Sequence, residues 1–176
     1  MEQTFKDILK TEVKCNISIP VILDKNGKIS KVLLGLKKEG KPPIVGKYTV
    51  FGGHKRPTET EVDGMKREFT EESKLEAKEW KMVGFLRWFL HEGKIWKLVS
   101  SPIYIITSFE GKEGETNEMK PKWFNIDEIP YLETWADTKI WMPVILSGFK
   151  VKGDFWYSRK DSNLLIKVDF NILKER

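Results

Sequence analysis

Between Phe51 and Leu75 the chain reads FGGHKRPTETEVDGMKREFTEESKL: two glycines, then Glu59, Glu61, Asp63, Glu68, Glu71 and Glu72. The chain as a whole is basic, with a net charge of +5 and a pI of about 9.1, so this local excess of negative charge needs a cause. Residues three and four apart share a helix face, which puts Glu68, Glu71 and Glu72 on one stripe. Like charges there repel unless lysines intervene or a cation is held, and no lysine lies between Glu68 and Glu72 on that face. Hard divalent cations take such oxygen ligands. Mg²⁺ in particular is held by one or two carboxylates, with waters and substrate phosphates completing its shell. Gly52 and Gly53 let backbone carbonyls approach the helix start. A solvated acidic face and a cation centre for phosphoryl chemistry are the two readings of these residues.

The elements that must position them follow from pattern. Val62, Met65 and Phe69 recur at helical spacing and predict a helix over 61–74. Residues 15–23 and 29–36 read as strands joined at an Asn26-Gly27 hairpin turn. A loop broken by Pro42 and Pro43 leads to a short strand, KYTVF, that ends at the two glycines. WKMVGFLRWFL and IWKLVSSPIYIITSF predict a second hairpin about HEGK. A charged loop spans 110–118, KPKWFN is a strand and IDEIP a helical turn. DTKIWMPVILSGF is a helix with Pro143 in its first turns, and DFWYS and LLIKVDF close the chain as strands. This order predicts an α/β chain (α+β mixed) with a mixed sheet between helices.

The spacing within the acidic segment is specific. From Gly53, five residues lead to Glu59 and seven more to Arg67-Glu68, followed by Phe69, Glu71-Glu72 and Leu75. The series resembles the Nudix box, Gly-x5-Glu-x7-Arg-Glu-U-x-Glu-Glu-x-Gly-U, where U is a bulky apolar residue. Only Lys74 departs from it, standing where the box has glycine. Segments 32–38, 117–130 and 134–146 are similar, in order, to the Nudix members that hydrolyse oxidised purine nucleoside triphosphates. The resemblance covers the chain from about residue 17.

That resemblance implies a Nudix fold and Mg²⁺-dependent hydrolysis, with Mn²⁺ as the alternative ion, of purine nucleoside triphosphates such as 8-oxo-dGTP. The products would be the monophosphate and pyrophosphate, and the role nucleotide-pool sanitation. Glu68, Glu71, Glu72, Glu118 and the Gly52 carbonyl correspond to metal ligands, and Glu71, Glu72 and Glu118 are the candidates for general base. Arg67 and Glu59 correspond to an internal ion pair. Lys37, Thr49, Phe51, Gly53, Trp135, Asp137 and Thr138 fall at the nucleotide, with Trp135 stacking on the base. In the relatives an asparagine stands at the Thr49 position and a second aspartate at the Thr138 position. Trp123 and Trp141 are read as packing residues, and Lys37 as either a site residue or a surface lysine.

Composition bounds the alternatives. A chain of 176 residues with 40% hydrophobic content fits one folded domain, 1–176, with residues 1–14 as an N-terminal extension. Phe5, Ile8 and Leu9 give that extension an apolar side for packing. No stretch reaches the roughly 18 apolar residues of a membrane span. The lone Cys15 and the absence of an apolar leader point to the cytoplasm, and a monomer is expected. Lysines are interleaved with glutamates, so a polynucleotide-binding face is the minor reading. Hydrolysis of another nucleotide or of RNA ends, and a non-catalytic nucleotide-binding module, are the competing functions.

Overall fold

The computed structural model describes residues 12–40, 44–92 and 95–174. Along them run β1 (Glu12–Leu23), β2 (Ile29–Lys37), β3 (Tyr48–Thr49), β4 (Phe51–His54) and α1 (Glu61–Ser73). β5 (Leu75–Glu92), β6 (Ile95–Gly111), β7 (Met119–Asn125), α2 (Thr138–Leu146), β8 (Lys150–Tyr157) and β9 (Leu165–Leu173) follow, with a 3₁₀ turn at Tyr131–Glu133. The expected α/β class holds. Val13 and Lys14, assigned to an extension, are part of β1 and pair with Val99 and Ser100 of β6. Phe5, Ile8, Leu9, Pro42 and Pro43, and Gly93 at the second hairpin, lie outside the described residues.

The sheet is mixed. Its path is β3-β2-β1-β6-β5-β8-β9, with β4 also on β1 and β7 also on β2. β1 runs parallel to β6 and β5 parallel to β8, while the other pairs are antiparallel. The first hairpin closes as its Asn-Gly signal requires: Gly27 takes φ +75°, and the Asp24 carboxylate accepts from the N–H groups of Asn26 and Lys28. KYTVF forms two strands. Tyr48 and Thr49 pair with β2, the chain changes partner at Val50, and Phe51–His54 pair with β1.

Strand alternation sorts the core onto two faces. Ile103 and Ile105 point to the face that also holds Trp141, Met142 and Ile145 of α2. Tyr104 and Ile106 point the other way, to Met65 and Phe69 of α1. Met65 and Phe69 are wholly buried, which stabilises the fold by roughly 1.5–3 kcal/mol each. The sheet is therefore sandwiched between the helices. α1 starts at Thr60, whose hydroxyl accepts the Asp63 N–H at 3.1 Å and donates to the Asp63 carboxylate at 2.6 Å. It stops at Lys74, which is left-handed at φ +68° with its N–H on the Thr70 carbonyl.

Candidate active site

α1 lies against β4, and the two glycines of β4 set how closely. A side chain on Gly52, at φ +148°, would collide with the Asn16 carbonyl at 2.0 Å. One on Gly53 would fall 2.4 Å from a Glu68 oxygen, so the missing side chain leaves room for that carboxylate. The Gly52 N–H donates to Glu72 Oε2 at 2.8 Å.

Two internal cations organise the acids. Arg67 Nε and Nη2 grip Glu59 at 2.5 and 3.0 Å, and Nη1 reaches Glu68 at 2.6 Å and Glu71 at 3.0 Å. Nη2 also donates to the His54 carbonyl at 3.0 Å. The hydrogen bonds from Arg67 hold Glu59 at a pKa of about 2, and those to Glu59 push Arg67 above its ordinary value. Lys37 Nζ bridges Glu72 at 3.0 Å and Glu118 at 2.9 Å. Burial alone would lower the Lys37 pKa, but Glu118 and Glu72 outweigh it and the net shift is upward. Glu72 is only 3% exposed; burial pushes its carboxyl up against the opposing pull of the Gly52 N–H and Lys37. Glu71 and Glu118 are exposed, at 53% and 58%.

Among the described residues no three acidic, histidine or cysteine side chains converge in a ready-made cage. The chemistry of the donors nonetheless fits a hard cation, since Glu68, Glu71, Glu72, Glu118 and the backbone of Gly52 are all oxygen donors. The Lys37 ammonium is a stand-in. One positive centre already draws Glu72 and Glu118 together across 35 and 81 residues of sequence.

On the α2 side of β4 is a cavity of about 230 Å³. That is below the roughly 300–1,000 Å³ of pockets for whole ligands, a size for a ring system rather than a complete nucleotide. Thr49, Gly52, Gly53, Trp135, Asp137 and Thr138 all line it, so these expected nucleotide residues are brought together. Phe51 is not among them. It is wholly buried under α1, edge-on to Phe69 at 5.9 Å, because the strand turns its side chain to the other face. Lys37 is at the carboxylates rather than the cavity.

Asp137 has the most constrained environment in the cavity wall. It is 3% exposed, and Trp88 and Trp141 each donate an indole N–H to its Oδ2 at 2.8 Å. The Tyr157 hydroxyl donates to Oδ1 and accepts the Asp137 N–H at 3.3 Å. Trp141 is thus buried, as its packing role requires, and also a polar partner. Trp123 packs on Phe109. Trp88, Tyr157 and Cys15, which also line the cavity, went unforeseen. Strand alternation puts Leu86, Trp88 and Leu90 on one face of β5, but which face meets α2 depends on long-range register.

Residues 15–144 match the NUDIX domain family. An oxidized purine nucleoside triphosphate hydrolase of Mus musculus is 36% identical over 134 residues, 76% of this chain and 83% of that protein. One of Danio rerio is 34% identical over 140 residues, 79% of this chain and 86% of that protein. A crystal structure of a MutT protein from Bacillus halodurans superposes with a TM-score of 0.75 at 25% identity, covering 90% of this chain and 97% of that one. A MutT NUDIX hydrolase from Burkholderia pseudomallei gives a TM-score of 0.58 at 18% identity over 74% of this chain and 95% of its own, a likeness of fold alone.

Proposed function

The chain belongs to the Nudix family, and from that premise we propose that it is a Mg²⁺-dependent hydrolase of purine nucleoside triphosphates, oxidised ones included, that releases the monophosphate and pyrophosphate. One observation carries the reading. The Gly52-Gly53 backbone is a wall common to the acidic centre and the ring-sized cavity, so a base in the cavity sets its phosphates beside the carboxylates. The names of the mouse and zebrafish relatives support the substrate class.

Glu68, Glu71, Glu72, Glu118 and the Gly52 carbonyl would hold the divalent ion. When bound, the ion supplies charge neutralisation of the phosphates and polarisation of the bond to be cleaved. The chain's own residues do the rest. Trp135 offers a stacking face, a contact worth roughly 1–3 kcal/mol for a base. Arg67 fixes the loop before α1 to its acidic face through Glu59, Glu68 and Glu71. Lys37 places an ammonium at the same centre, within reach of an incoming phosphate. Glu72, buried and doubly engaged, is given the task of holding charge. Glu71 and Glu118 keep oxygens open to solvent and are assigned to accept the proton of the attacking water.

The test is pyrophosphate release from a panel of dGTP, 8-oxo-dGTP, 2-oxo-dATP, dCTP and dTTP with and without Mg²⁺. Purine-selective, Mg²⁺-dependent release is expected. No release from any triphosphate would overturn the reading.

A further inference from the structure

β9 is the last strand on the path of the sheet, and among the described residues it pairs with β8 alone. Its far side is an open edge, a template for one more strand. Native sheets blunt such edges with charges, prolines or very short strands. β9 is nine residues long, has no proline and carries one lysine. That lysine, Lys167, is turned back onto its own hairpin, with Nζ 4.5 Å from the centre of the Trp156 ring.

Pairing with β8 is regular from Lys167 to Leu173 and slips beyond Lys167, between Trp156 and Tyr157. Val168, Phe170 and Ile172 stand opposite Phe155, Gly153 and Val151, so they share the face on which α2 packs. Phe170 lies over Gly153, where an added side chain would come within 3.0 Å of its ring, and its ring centre is 6.3 Å from that of Phe155. The core thus runs out to the edge strand. There it stays uncovered: Val168 is 40% and Ile172 52% exposed. Lys167, Asp169 and Asn171 are on the other face, opposite Trp156, Asp154 and Lys152.

We propose that β9 pairs antiparallel with β9 of a second copy, about a two-fold axis at Phe170. The chain would then be an isologous dimer with one continuous sheet, and not the monomer expected from its sequence. Phe170 meets the partner's Phe170, and Val168 meets the partner's Ile172, so the exposed apolar strip of each copy is covered by that of the other. Polar chemistry fixes the register. An axis at Asp169 would set that carboxylate against its own copy, a like-charge contact. An axis at Val168 would carry the pairing into the slip at Ile166, and one at Asn171 would set Val168 against a lysine, Lys174. With the axis at Phe170, Asp169 faces the partner's Asn171 twice by symmetry, an acceptor against an amide donor. Within one chain the same two groups already meet, Asn171 Nδ2 donating to Asp169 Oδ1 at 3.1 Å. The neighbouring carboxylate, Asp154, is engaged by Arg87 and does not compete for that amide. A single strand pair is at the low end of specific interfaces, below about 1,200 Å², which corresponds to a Kd of about 1–100 µM. The inference is independent of the nucleotide reading.

The experiment is sedimentation velocity of the whole chain at concentrations spanning that range, with circular dichroism as the check on folding. The wild-type chain should show a monomer–dimer equilibrium. Ile172→Lys, which sets an ammonium against the partner's Val168, should leave monomer only. Two further variants test register and partner together. Asn171→Asp faces Asp169 with a carboxylate across the axis, and Asp169→Lys/Asn171→Lys faces lysine with lysine. Each by itself should dimerise at least about 10-fold more weakly than wild type, since the like-charge contact occurs twice. An equimolar mixture of the two sets lysines against aspartates and should regain the dimer, a rescue that damage to the fold of either variant would not give. A monomer at every wild-type concentration, as a partner of another kind on this edge would leave it, would overturn the proposal. So would a dimer that survives Ile172→Lys, a mixture that associates no better than its components, or growth past the dimer to larger species.

Discussion

Lys74 occupies the position at which the Nudix box has glycine, and among the described residues it is the only non-glycine at positive φ. At φ +68° and ψ +10°, an L side chain costs roughly 1–2 kcal/mol relative to the right-handed basin. Lys74→Gly removes that cost but gives the unfolded chain more freedom, which offsets roughly 0.4–1 kcal/mol. The surroundings add little, since the lysine stem only grazes the site where a Gly114 side chain would stand and the backbone bond to Thr70 does not depend on the side chain. The expected net is stabilisation by about 0.5–1 kcal/mol. For a chain of this length that is a Tm rise of about 1–4 °C. Scanning calorimetry of wild type, Lys74→Gly and Lys74→Ala measures it, and alanine, which keeps the left-handed cost, should show no rise. Hydrolytic kcat/KM should be unchanged in both. A fall in Tm for Lys74→Gly, or a loss of activity shared by both variants, would refute the claim that this departure from the box is one of backbone strain and not of chemistry.

Glu72→Gln keeps the shape and the Gly52 contact but removes the charge; turnover should fall at least about 10²-fold with the circular dichroism spectrum unchanged, and near-normal turnover would sink the metal-site assignment. Arg67→Ala should destabilise in a pH-dependent way. Glu59 is held down at about 2 from 4.5, so its stabilising effect is full above about pH 4.5 and is lost as pH falls toward 2. The Tm gap between wild type and Arg67→Ala should therefore be widest near neutrality and shrink across that window. Cys15, pushed up to about 11 and lining the cavity, should be alkylated by iodoacetamide at pH 8 about 100-fold more slowly than an ordinary thiol, and more slowly still with GMP bound. Thr49→Asn/Thr138→Asp should raise the kcat/KM ratio of 8-oxo-dGTP to dGTP by about 10-fold or more; an unchanged ratio would remove both positions from base selection.

The parts of the fold that local chemistry determines were legible in the sequence. The Asn-Gly turn, the stripe of Val62, Met65 and Phe69, and the Gly53–Leu75 spacing each specify structure within a few residues, and α1 ends within one residue of its expected limit. Contacts that depend on register were not. β5 lies parallel to β8 with Trp88 opposite Phe155, a pairing across 67 residues, and only that alignment brings Tyr157 to the Asp137 carboxylate that Trp88 also meets. KYTVF also misled as one strand, because nothing in five residues shows that Val50 is where the chain leaves β2 for β1. Phe51 lies outside the cavity for the same reason: its position in sequence is beside the glycines, but its side chain belongs to the opposite face. Lys37, between a site role and a surface role in sequence, is drawn in by two acids that no local window contains.

Because β4 is hydrogen-bonded to Glu72 and also walls the cavity, the carboxylate cluster and the cavity share one piece of backbone. On the proposed function a cation at the carboxylates and a nucleotide in the cavity would meet on that element, and whatever factor the cation brought to nucleotide affinity the nucleotide would return to the cation. The symmetry can be read from titrations run in either order, without turnover. A side chain at Gly52 would push β4 off Asn16, so it should weaken both ligands at once and distort the factor that joins them. On the proposed function the two glycines would be where the two affinities are joined, and titrating either ligand with and without the other measures the size and sign of that coupling.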